Sequence, residues 1–309
     1  MPMLNVDEKV ILDDFRKAIR LSEKDSVIDV DQRVGKKLDS FLLRLESSLN
    51  EIGPNIPAYR AATFVIMYVS KGDGKQIVGK TTFTVKDRTL VIIPPRAIRS
   101  YSSHSELSKG YYLSFNLKYY FQLHFPVHHL LKMHLFKKNL IPFCYLDMKT
   151  GQDIERIFEL IFEEGHQQRR NKNELIALKI LELIILCDRQ VQPADSKAGD
   201  YYSPLLIQYI DLINDHYKEH HTTGYYAGKL NIHPNSLNAT AKRYLDQSAK
   251  EILDTKLISE AKYLLFNTSL SAKEIAYEIG FNSPSHFFRF FKRYTGDSPL
   301  HYRQKHLNL

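Results

Sequence analysis

The segment that decides the fold is Ser271-Ala-Lys-Glu-Ile-Ala-Tyr-Glu-Ile-Gly-Phe-Asn-Ser-Pro-Ser-His-Phe-Phe-Arg-Phe-Phe-Lys-Arg-Tyr294. Ser271 and Glu274 have the spacing of a capping box, in which each side chain bonds a backbone N–H of the other residue. Gly280 follows the apolar positions of this first helix, where a residue that tolerates positive φ ends a helix readily. Pro284 suits the start of a second helix, which needs no N–H there. The pattern predicts a helix-turn-helix.

The second helix of this segment combines an apolar stripe with a polar and basic remainder. Its stripe consists of Phe287, Phe290, Phe291 and Tyr294. Such a helix is typical of one that enters a DNA major groove. We expect base contacts from Ser285, His286 and Arg289, and phosphate contacts from Lys292 and Arg293.

A similar pattern lies about fifty residues earlier, from Thr222 to Tyr244. Pro234 corresponds to Pro284, and the triplet Lys242-Arg243-Tyr244 corresponds to Lys292-Arg293-Tyr294. Between the two copies, the period of apolar residues predicts a linker helix over Ile252–Phe266. Its expected core positions are Leu253, Leu257, Ala261, Leu264 and Leu265. The expected DNA-contacting residues of the first copy are Asn235, Ser236, Asn238, Ala239, Lys242 and Arg243, of which Ala239 occupies a position where a longer polar side chain is common.

These residues resemble a known family. The runs that carry the resemblance are Glu260-Ala-Lys-Tyr-Leu-Leu, Glu274-Ile-Ala, Ile279-Gly-Phe, Arg289-Phe-Phe-Lys-Arg, Gly296-Asp-Ser-Pro and Tyr302-Arg303. Together they are similar to the signature of AraC-type (AraC/XylS) transcriptional regulators, over roughly residues 203 to 306. The resemblance implies a regulator, with activation as the expected mode, that binds the major groove of double-stranded DNA and acts with RNA polymerase. The first copy departs from the pattern, because Asp246 stands in place of Gly296 and Ala249 in place of Pro299.

Composition limits the class of protein. The net charge is +8 and the pI is near 9.2, which suits a polyanionic partner. From Ser203 onward there are 13 lysines and arginines against 10 acidic residues, so the excess is not concentrated in the proposed DNA-binding part. The two cysteines, Cys144 and Cys187, exclude a disulfide framework. No apolar run approaches the ~20 residues of a membrane span, and no signal peptide opens the chain, so we expect no membrane partner and a cytoplasmic protein.

The N-terminal part predicts strands after a helical arm. Residues 1–52 read as helical, with Val10, Ile11, Phe15, Ala18 and Ile19 on one face. Over residues 53–150, short β segments separated by turn residues predict a small barrel or sandwich. The expected segments are Ala61–Ser70, Gln76–Val85, Thr89–Ile93 and Gly110–Asn116. The run Tyr68-Val-Ser-Lys-Gly-Asp-Gly74, followed by Leu90-Val-Ile-Ile-Pro-Pro95, resembles the cupin-like sensor barrel attached to many AraC-type proteins.

The predicted strands contain no histidine, whereas metal-binding cupins place histidines there. We therefore expect no metal, no cofactor and no catalytic residue, and we interpret His124, His128, His129 and His134 as surface or packing residues. A small organic effector is the expected ligand, and an interior filled by its own side chains is the alternative. A metal-independent cupin-type enzyme with an accessory DNA-binding module and a ligand-free regulator remain as rivals. The candidate effector contacts are Tyr59, Arg60, Phe64, Tyr68, Arg96 and Tyr112.

Residues 151–190 predict a helical hairpin. Ile154, Ile157, Phe158, Ile161 and Phe162 follow helical spacing, and a second stripe follows a polar break. That stripe consists of Leu175, Leu178, Leu181, Ile184 and Ile185. The hairpin is expected to form a homodimer, with packing inside one chain as the alternative. Residues 191–202 read as a linker and 203–309 as the DNA-binding domain. The predicted fold class is α+β: a small cupin-like β-barrel with helical arm and hairpin, then an all-α domain with two helix-turn-helix motifs.

Overall fold

The computed structural model describes residues 4–20, 28–29, 40–104, 108–116, 130–131, 133–136, 141–191, 204–245 and 247–307. The chain divides into two compact units, Met1–Leu117 with Lys132–Tyr201 and Lys118–Leu131 with Tyr202–Leu309. The first unit contains strands and helices, and the described part of the second contains helices alone. The predicted α+β class is therefore confirmed. None of the described helices combines the length and apolar character that crossing a membrane requires.

Ten strands of the first unit form two five-stranded sheets. One has the order β1 (Ile28–Asp29), β3 (Asn55–Arg60), β8 (Arg99–Ser103), β5 (Gly74–Val78) and β6 (Thr81–Val85). The other has the order β10 (Phe143–Tyr145), β7 (Thr89–Ile93), β4 (Phe64–Lys71), β9 (Lys109–Phe115) and β2 (Phe41–Arg44). The pairings are antiparallel except that of β1 with β3. Across the described ranges no strand pairs with the other sheet, so the predicted barrel is seen as two separate sheets.

Two local predictions in this unit were wrong. The expected single segment Gln76–Val85 is divided into β5 and β6, because Gly79 has φ 61° and turns the chain. The arm 1–52 is only partly helical: α1 spans Glu8–Arg20 and α2 spans Leu45–Ile52, and the buried strand β2 precedes α2 and pairs with β9. On α1, Ile11 and Ala18 are buried as expected, whereas Val10 is 48% exposed.

The core of this unit lies between the two sheets. Val65, Met67 and Val69 of β4 alternate inward and pack with side chains of β5, β6 and β8. The alternate residues Phe64, Ile66 and Tyr68 point to the other face of β4 and are also buried. This burial on both faces explains why β4 is a continuous apolar run.

The helical hairpin consists of α3 (Met148–His166) and α4 (Lys172–Asp188). On α3 the five predicted positions are all buried, and Phe158 stacks on Tyr111 of β9 with ring centroids 5.0 Å apart. On α4 the predicted stripe is only partly covered within the chain, and its role in pairing two copies stays a prediction. Leu175 and Leu178 are 42% and 50% exposed. The residues buried on α4 are Ile176, Ala177, Ile180, Leu183, Ile184 and Cys187.

The second unit contains seven described helices. They are α5 (Pro204–His216), α6 (Thr223–Lys229), α7 (Pro234–Leu245), α8 (Ala249–Asn267), α9 (Ala272–Glu278), α10 (Pro284–Thr295) and α11 (Pro299–Leu307). The linker helix predicted over Ile252–Phe266 is confirmed as α8, which starts at a complete capping box between Ser248 and Glu251. Leu253, Leu257 and Ala261 of α8 are fully or almost fully buried. Because α6 and α7 precede α8 while α9 and α10 follow it, α8 joins two helix pairs.

Candidate nucleic-acid interface and interior cavity

The turn between α9 and α10 is fixed by the residues that the sequence indicated. Ser271 Oγ accepts the N–H of Glu274 at 3.2 Å, and Glu274 Oε2 accepts the N–H of Ser271 at 2.7 Å, so the capping box is confirmed. Gly280 has φ 85°, and a Cβ on it would lie 1.6 Å from the carbonyl oxygen of Lys218. Any other residue at this position would be strained and would clash. Ser283 caps α10 by accepting the N–H of His286 at 3.3 Å.

Helix α10 separates an aromatic face from a polar one. Phe287, Phe290 and Phe291 are buried, and the ring of Phe281 packs against Phe287 and Phe290 from the preceding turn. Tyr294, predicted as part of the buried stripe, is 40% exposed. The opposite face exposes the five predicted DNA-contacting residues: Ser285, His286, Arg289, Lys292 and Arg293.

A buried carboxylate holds α10 on α8. Asp254 of α8 is 1% exposed and accepts the Tyr294 hydroxyl proton at 2.6 Å. Lys250 Nζ donates to it at 2.5 Å, and Arg293 Nη2 lies 3.6 Å away. Burial, and next the hydrogen bond to Asp254, raises the pKa of Tyr294 to about 12. Arg293 thus faces both solvent and this carboxylate.

The pair α6 and α7 repeats the arrangement with different residues. Asn231, at the position that corresponds to Gly280, has φ 54°, a conformation that asparagine tolerates better than most residues. Asn238 is half-buried, and its Oδ1 accepts the N–H of Ala249 at the start of α8 at 3.1 Å. The side chain of Asn238 was expected to project toward DNA. Its amide oxygen binds α8 instead, and the side chain is only partly exposed. Asp246 lies outside the described residues. The exposed candidates of α7 are Asn235, Ser236, Ala239, Lys242 and Arg243.

A cavity of about 50 Å³ lies inside the N-terminal unit, between the two sheets and under α1. Of the six predicted effector contacts, Tyr59 and Tyr112 line it. The other four do not line it. Phe64 packs against Phe115 and Phe136 instead, Tyr68 is buried on the same outer face of β4, and Arg60 and Arg96 are exposed. The remaining wall is mainly apolar, and it includes Ile11, Leu12, Phe15, Phe41, Leu43, Ile52, Ile56 and Met67.

The sequence analysis missed two buried polar residues, one that lines this cavity and one that bonds two of its lining residues. Gln76 of β5 lines it, is 2% exposed, and its Oε1 has no described hydrogen-bond partner. Arg99 of β8 is 0% exposed and donates to two groups of the lining residues, Ala61 O at 3.2 Å and Tyr112 Oη at 3.4 Å. The only sequence signal is the alternation of β8, which places Arg99 and Tyr101 on the inner face.

Among the residues that the structure describes, no three or more His, Cys, Asp and Glu side chains form a group able to hold a metal ion. His134 is exposed, with Nδ1 3.7 Å from the carboxylate of Asp188. His124, His128 and His129 lie outside the described ranges.

Comparison with known proteins adds independent information. A family model described as a helix-turn-helix domain matches residues 226–305. The chain is 25% identical over 251 residues to the arabinose operon regulatory protein of Salmonella typhimurium, covering 78% of this chain and 83% of that protein. It is 26% identical over 156 residues to the transcriptional activator RhaS of Yersinia pseudotuberculosis, covering 50% and 57%. The C-terminal domain of AraT, a response regulator from Geobacillus stearothermophilus, is similar at 29% identity and a TM-score of 0.32, over 34% of this chain and 87% of that one.

Proposed function

We propose that α7 and α10 both act as recognition helices on one DNA duplex. The chain is a DNA-binding transcriptional regulator, and its residues 226–305 match a helix-turn-helix domain. The observation that carries this proposal is that α7 and α10 are amphipathic in the same way. Each helix buries an apolar face in the core of the second unit and exposes polar and basic residues on the other face. Two such helices on one scaffold would enter successive major grooves, about 34 Å apart.

The exposed residues divide by chemistry into base readers and phosphate contacts. Arg289 presents a free guanidinium suited to guanine O6 and N7, and a bidentate pair of this kind is worth about 1–3 kcal/mol of discrimination. On α7, Asn235 suits adenine, and the methyl group of Ala239 suits a thymine methyl. Ser285, His286 and Ser236 flank these readers near the helix starts. The residues assigned to phosphates are Lys242, Arg243, Lys292 and Arg293.

The test compares Arg289→Ala with Lys292→Ala on the same DNA. Footprinting of the DNA beside the gene first defines the operator, and fluorescence anisotropy then measures affinity for that operator and for a scrambled duplex. Arg289→Ala should weaken operator binding by about 5- to 150-fold and leave the scrambled duplex almost unaffected. Lys292→Ala should weaken both and reduce the salt slope by about one.

Lys273→Ala, an exposed lysine of α9 outside the proposed reading face, is the matched control and should bind like the wild type. An equal loss on both duplexes for Arg289→Ala would contradict base reading. A salt slope for Lys292→Ala equal to that of the wild type would contradict a phosphate contact.

The N-terminal unit is proposed to be a cupin-like sensor that binds a small organic effector in the cavity between its sheets. Support comes from the mainly apolar wall combined with a few buried polar groups, which is the composition of small-molecule sites. A compound that binds there should raise the melting temperature of the full chain and change operator occupancy. A compound that raises the melting temperature without changing operator occupancy would show that the unit binds a ligand but does not use it to regulate DNA binding.

The exposed stripe of α4 is proposed to pair two copies of the chain. Leu178, Leu181 and Ile185 lie on one face with Glu182 and Arg189, so this face contains both apolar area and opposite charges and is self-complementary about a two-fold axis. Leu178→Glu should convert a dimer to a monomer in size-exclusion chromatography with light scattering. Met148→Glu, at a 65% exposed apolar position of α3, is the control and should remain dimeric.

We also propose that the regulator activates transcription together with RNA polymerase. Support comes from the relative RhaS, which is described as a transcriptional activator. In a reconstituted transcription assay with a promoter beside the operator, added protein should increase transcript. A decrease would indicate repression.

A further inference from the structure

The most unusual group in the N-terminal unit is the guanidinium of Arg99. It is completely buried, and no carboxylate lies within ion-pair distance of it in the described part of the chain. Its hydrogen bonds go to two neutral oxygens, and its Nε–H has no described acceptor. Arginine is almost never fully buried unless it is paired, because removing a charge from water costs several kcal/mol. A buried cation without its anion therefore indicates a site for one.

A second donor converges on the same place. The hydroxyl groups of Tyr59 and Tyr112 lie 2.8 Å apart and share one hydrogen bond, and Arg99 Nη1 donates to the Tyr112 oxygen. Only one of the two hydroxyl protons is used in this bond. The tyrosine that accepts it keeps its own hydroxyl proton, and that proton has no acceptor among the described residues. The guanidinium of Arg99 also lies 5.2 Å from the ring centre of Tyr59. One cation and one free phenolic proton at the same wall form a donor set suited to an anion.

The charge and the lining narrow the class of anion. Arg99 donates hydrogen bonds to two of the cavity-lining residues, Tyr112 and Ala61, and the lining itself contains no Lys, Arg, Asp or Glu. A single guanidinium matches a monoanion with a planar, bidentate group, which is a carboxylate. The rest of the wall is formed by aliphatic and aromatic side chains of α1, β2 and β4. Gln76 Oε1 adds an unpaired acceptor for a hydroxyl or amide on the ligand body.

We propose that the N-terminal unit recognises a small organic acid with an apolar body, whose carboxylate pairs with Arg99 and the Tyr59–Tyr112 hydroxyl pair. This inference rests on the proposed sensing function and adds the chemical class of the effector. The cavity of about 50 Å³ is much smaller than the roughly 300 Å³ or more of typical ligand sites, so binding must displace lining side chains. Ile11, Leu12 and Phe15 of α1 are the apolar side chains that cover it from one helix.

The experiment measures the melting temperature and binding isotherms of the full chain with benzoate, hexanoate and decanoate, each beside its uncharged primary amide. At a hundredfold excess over Kd, a carboxylate should raise the melting temperature by about 5 °C or more. Arg99→Met should abolish this shift and weaken binding by about 100-fold. Arg99→Lys, which keeps the charge, should retain part of the shift, and Tyr112→Phe should reduce it.

Lys75→Met is the matched control, since Lys75 is exposed on the neighbouring strand β5 and its loss removes one positive charge without touching the cavity. Arg99→Met itself should fold and melt at or above the wild-type temperature without ligand, because an unpaired buried charge is removed. A lower melting temperature for Arg99→Met, with no carboxylate response in the wild type, would show that Arg99 only ties Ala61 to Tyr112, and would overturn the proposal.

The outcomes also separate this inference from the sensing function. If amides or neutral sugars stabilise the wild type and the carboxylates do not, the carboxylate assignment is wrong and the sensing function stands. If carboxylates stabilise the wild type and Arg99→Met equally, the cavity binds acids without Arg99, which also overturns the assignment. If no organic compound shifts the melting temperature, both proposals fail.

Discussion

Replacing Asp254 tests whether α8 fixes the orientation of α10, the proposed recognition helix. The carboxylate is 1% exposed, accepts the hydroxyl proton of Tyr294, and pairs with Lys250 one turn away. A hydrogen bond to a charged acceptor contributes about 1.5–3 kcal/mol to stability. The pair with Lys250, whose side chain is 49% exposed, adds only about 0.3–0.5 kcal/mol. Asp254→Ala should therefore destabilise the attachment of α10 by about 2–3 kcal/mol.

Hydrogen exchange followed by mass spectrometry on the full chain measures this effect at α10 itself. A loss of about 2–3 kcal/mol should accelerate exchange of the α10 amides about 30- to 150-fold. Asp254→Asn keeps an oxygen for the Tyr294 hydroxyl, so it should cost only about 1 kcal/mol. In a double-mutant cycle, Asp254→Ala and Tyr294→Phe should be coupled by at least about 1 kcal/mol.

Glu278→Ala is the control for this prediction, because Glu278 forms an ion pair with Lys218 in which both side chains are about half exposed. It should change the exchange of α10 by less than about fivefold. If Asp254→Ala also left exchange within about fivefold of the wild type, the buried carboxylate would not be what holds α10.

Three further predictions concern the joints of the second unit. Gly280→Ala should lower the melting temperature of the second unit strongly, by the equivalent of more than about 3 kcal/mol. The control is Gly228→Ala, since Gly228 is helical and has open space where a Cβ would lie; this change should be neutral or stabilising by up to about 1 kcal/mol. Ser271→Ala should cost about 1 kcal/mol in thermal or chemical denaturation, because the N-cap of α9 is lost. Burial lowers the pKa of His221, so the contribution of its neutral imidazole to the stability of the fold is complete above about pH 6.5 and is lost as the pH falls through the lowered folded-state pKa. Melting curves from about pH 8 to 5 should show this loss of stability, and His221→Gln should make the loss smaller.

The sequence predicted the second unit well because its signals are local. The capping box at Ser271, the left-handed Gly280 and the aromatic spacing from Phe287 each depend on residues within one or two turns. The strand β7, Thr89–Ile93, was predicted at its observed bounds for the same reason, since turn residues flank a short apolar run.

Positions decided by packing between distant segments were not predictable in the same way. Helix α4 is apolar on more than one side, so the period of Leu175, Leu178 and Leu181 does not identify the face that α3 covers. In the sequence Arg99 has the character of an exposed residue of a polar strand, but in the fold it is buried and contacts Tyr59, Ala61 and Tyr112. Charge alone predicts exposure for such a residue, whereas the fold decides its burial.

The two proposed recognition helices, α7 and α10, are attached to the same short stretch of α8. Asn238 of α7 binds the N–H of Ala249, and Tyr294 of α10 binds Asp254, little more than one turn further along. Tyr209 of α5 donates to the carbonyl oxygen of Ala249 at 2.7 Å, which ties this stretch to the core of the unit. Because both bonds are made to one helical segment, that segment links the positions of α7 and α10. At the position that corresponds to Asn238, α10 has Phe288, whose side chain cannot form such a hydrogen bond, so the two halves of the proposed DNA surface are attached to α8 through different residues.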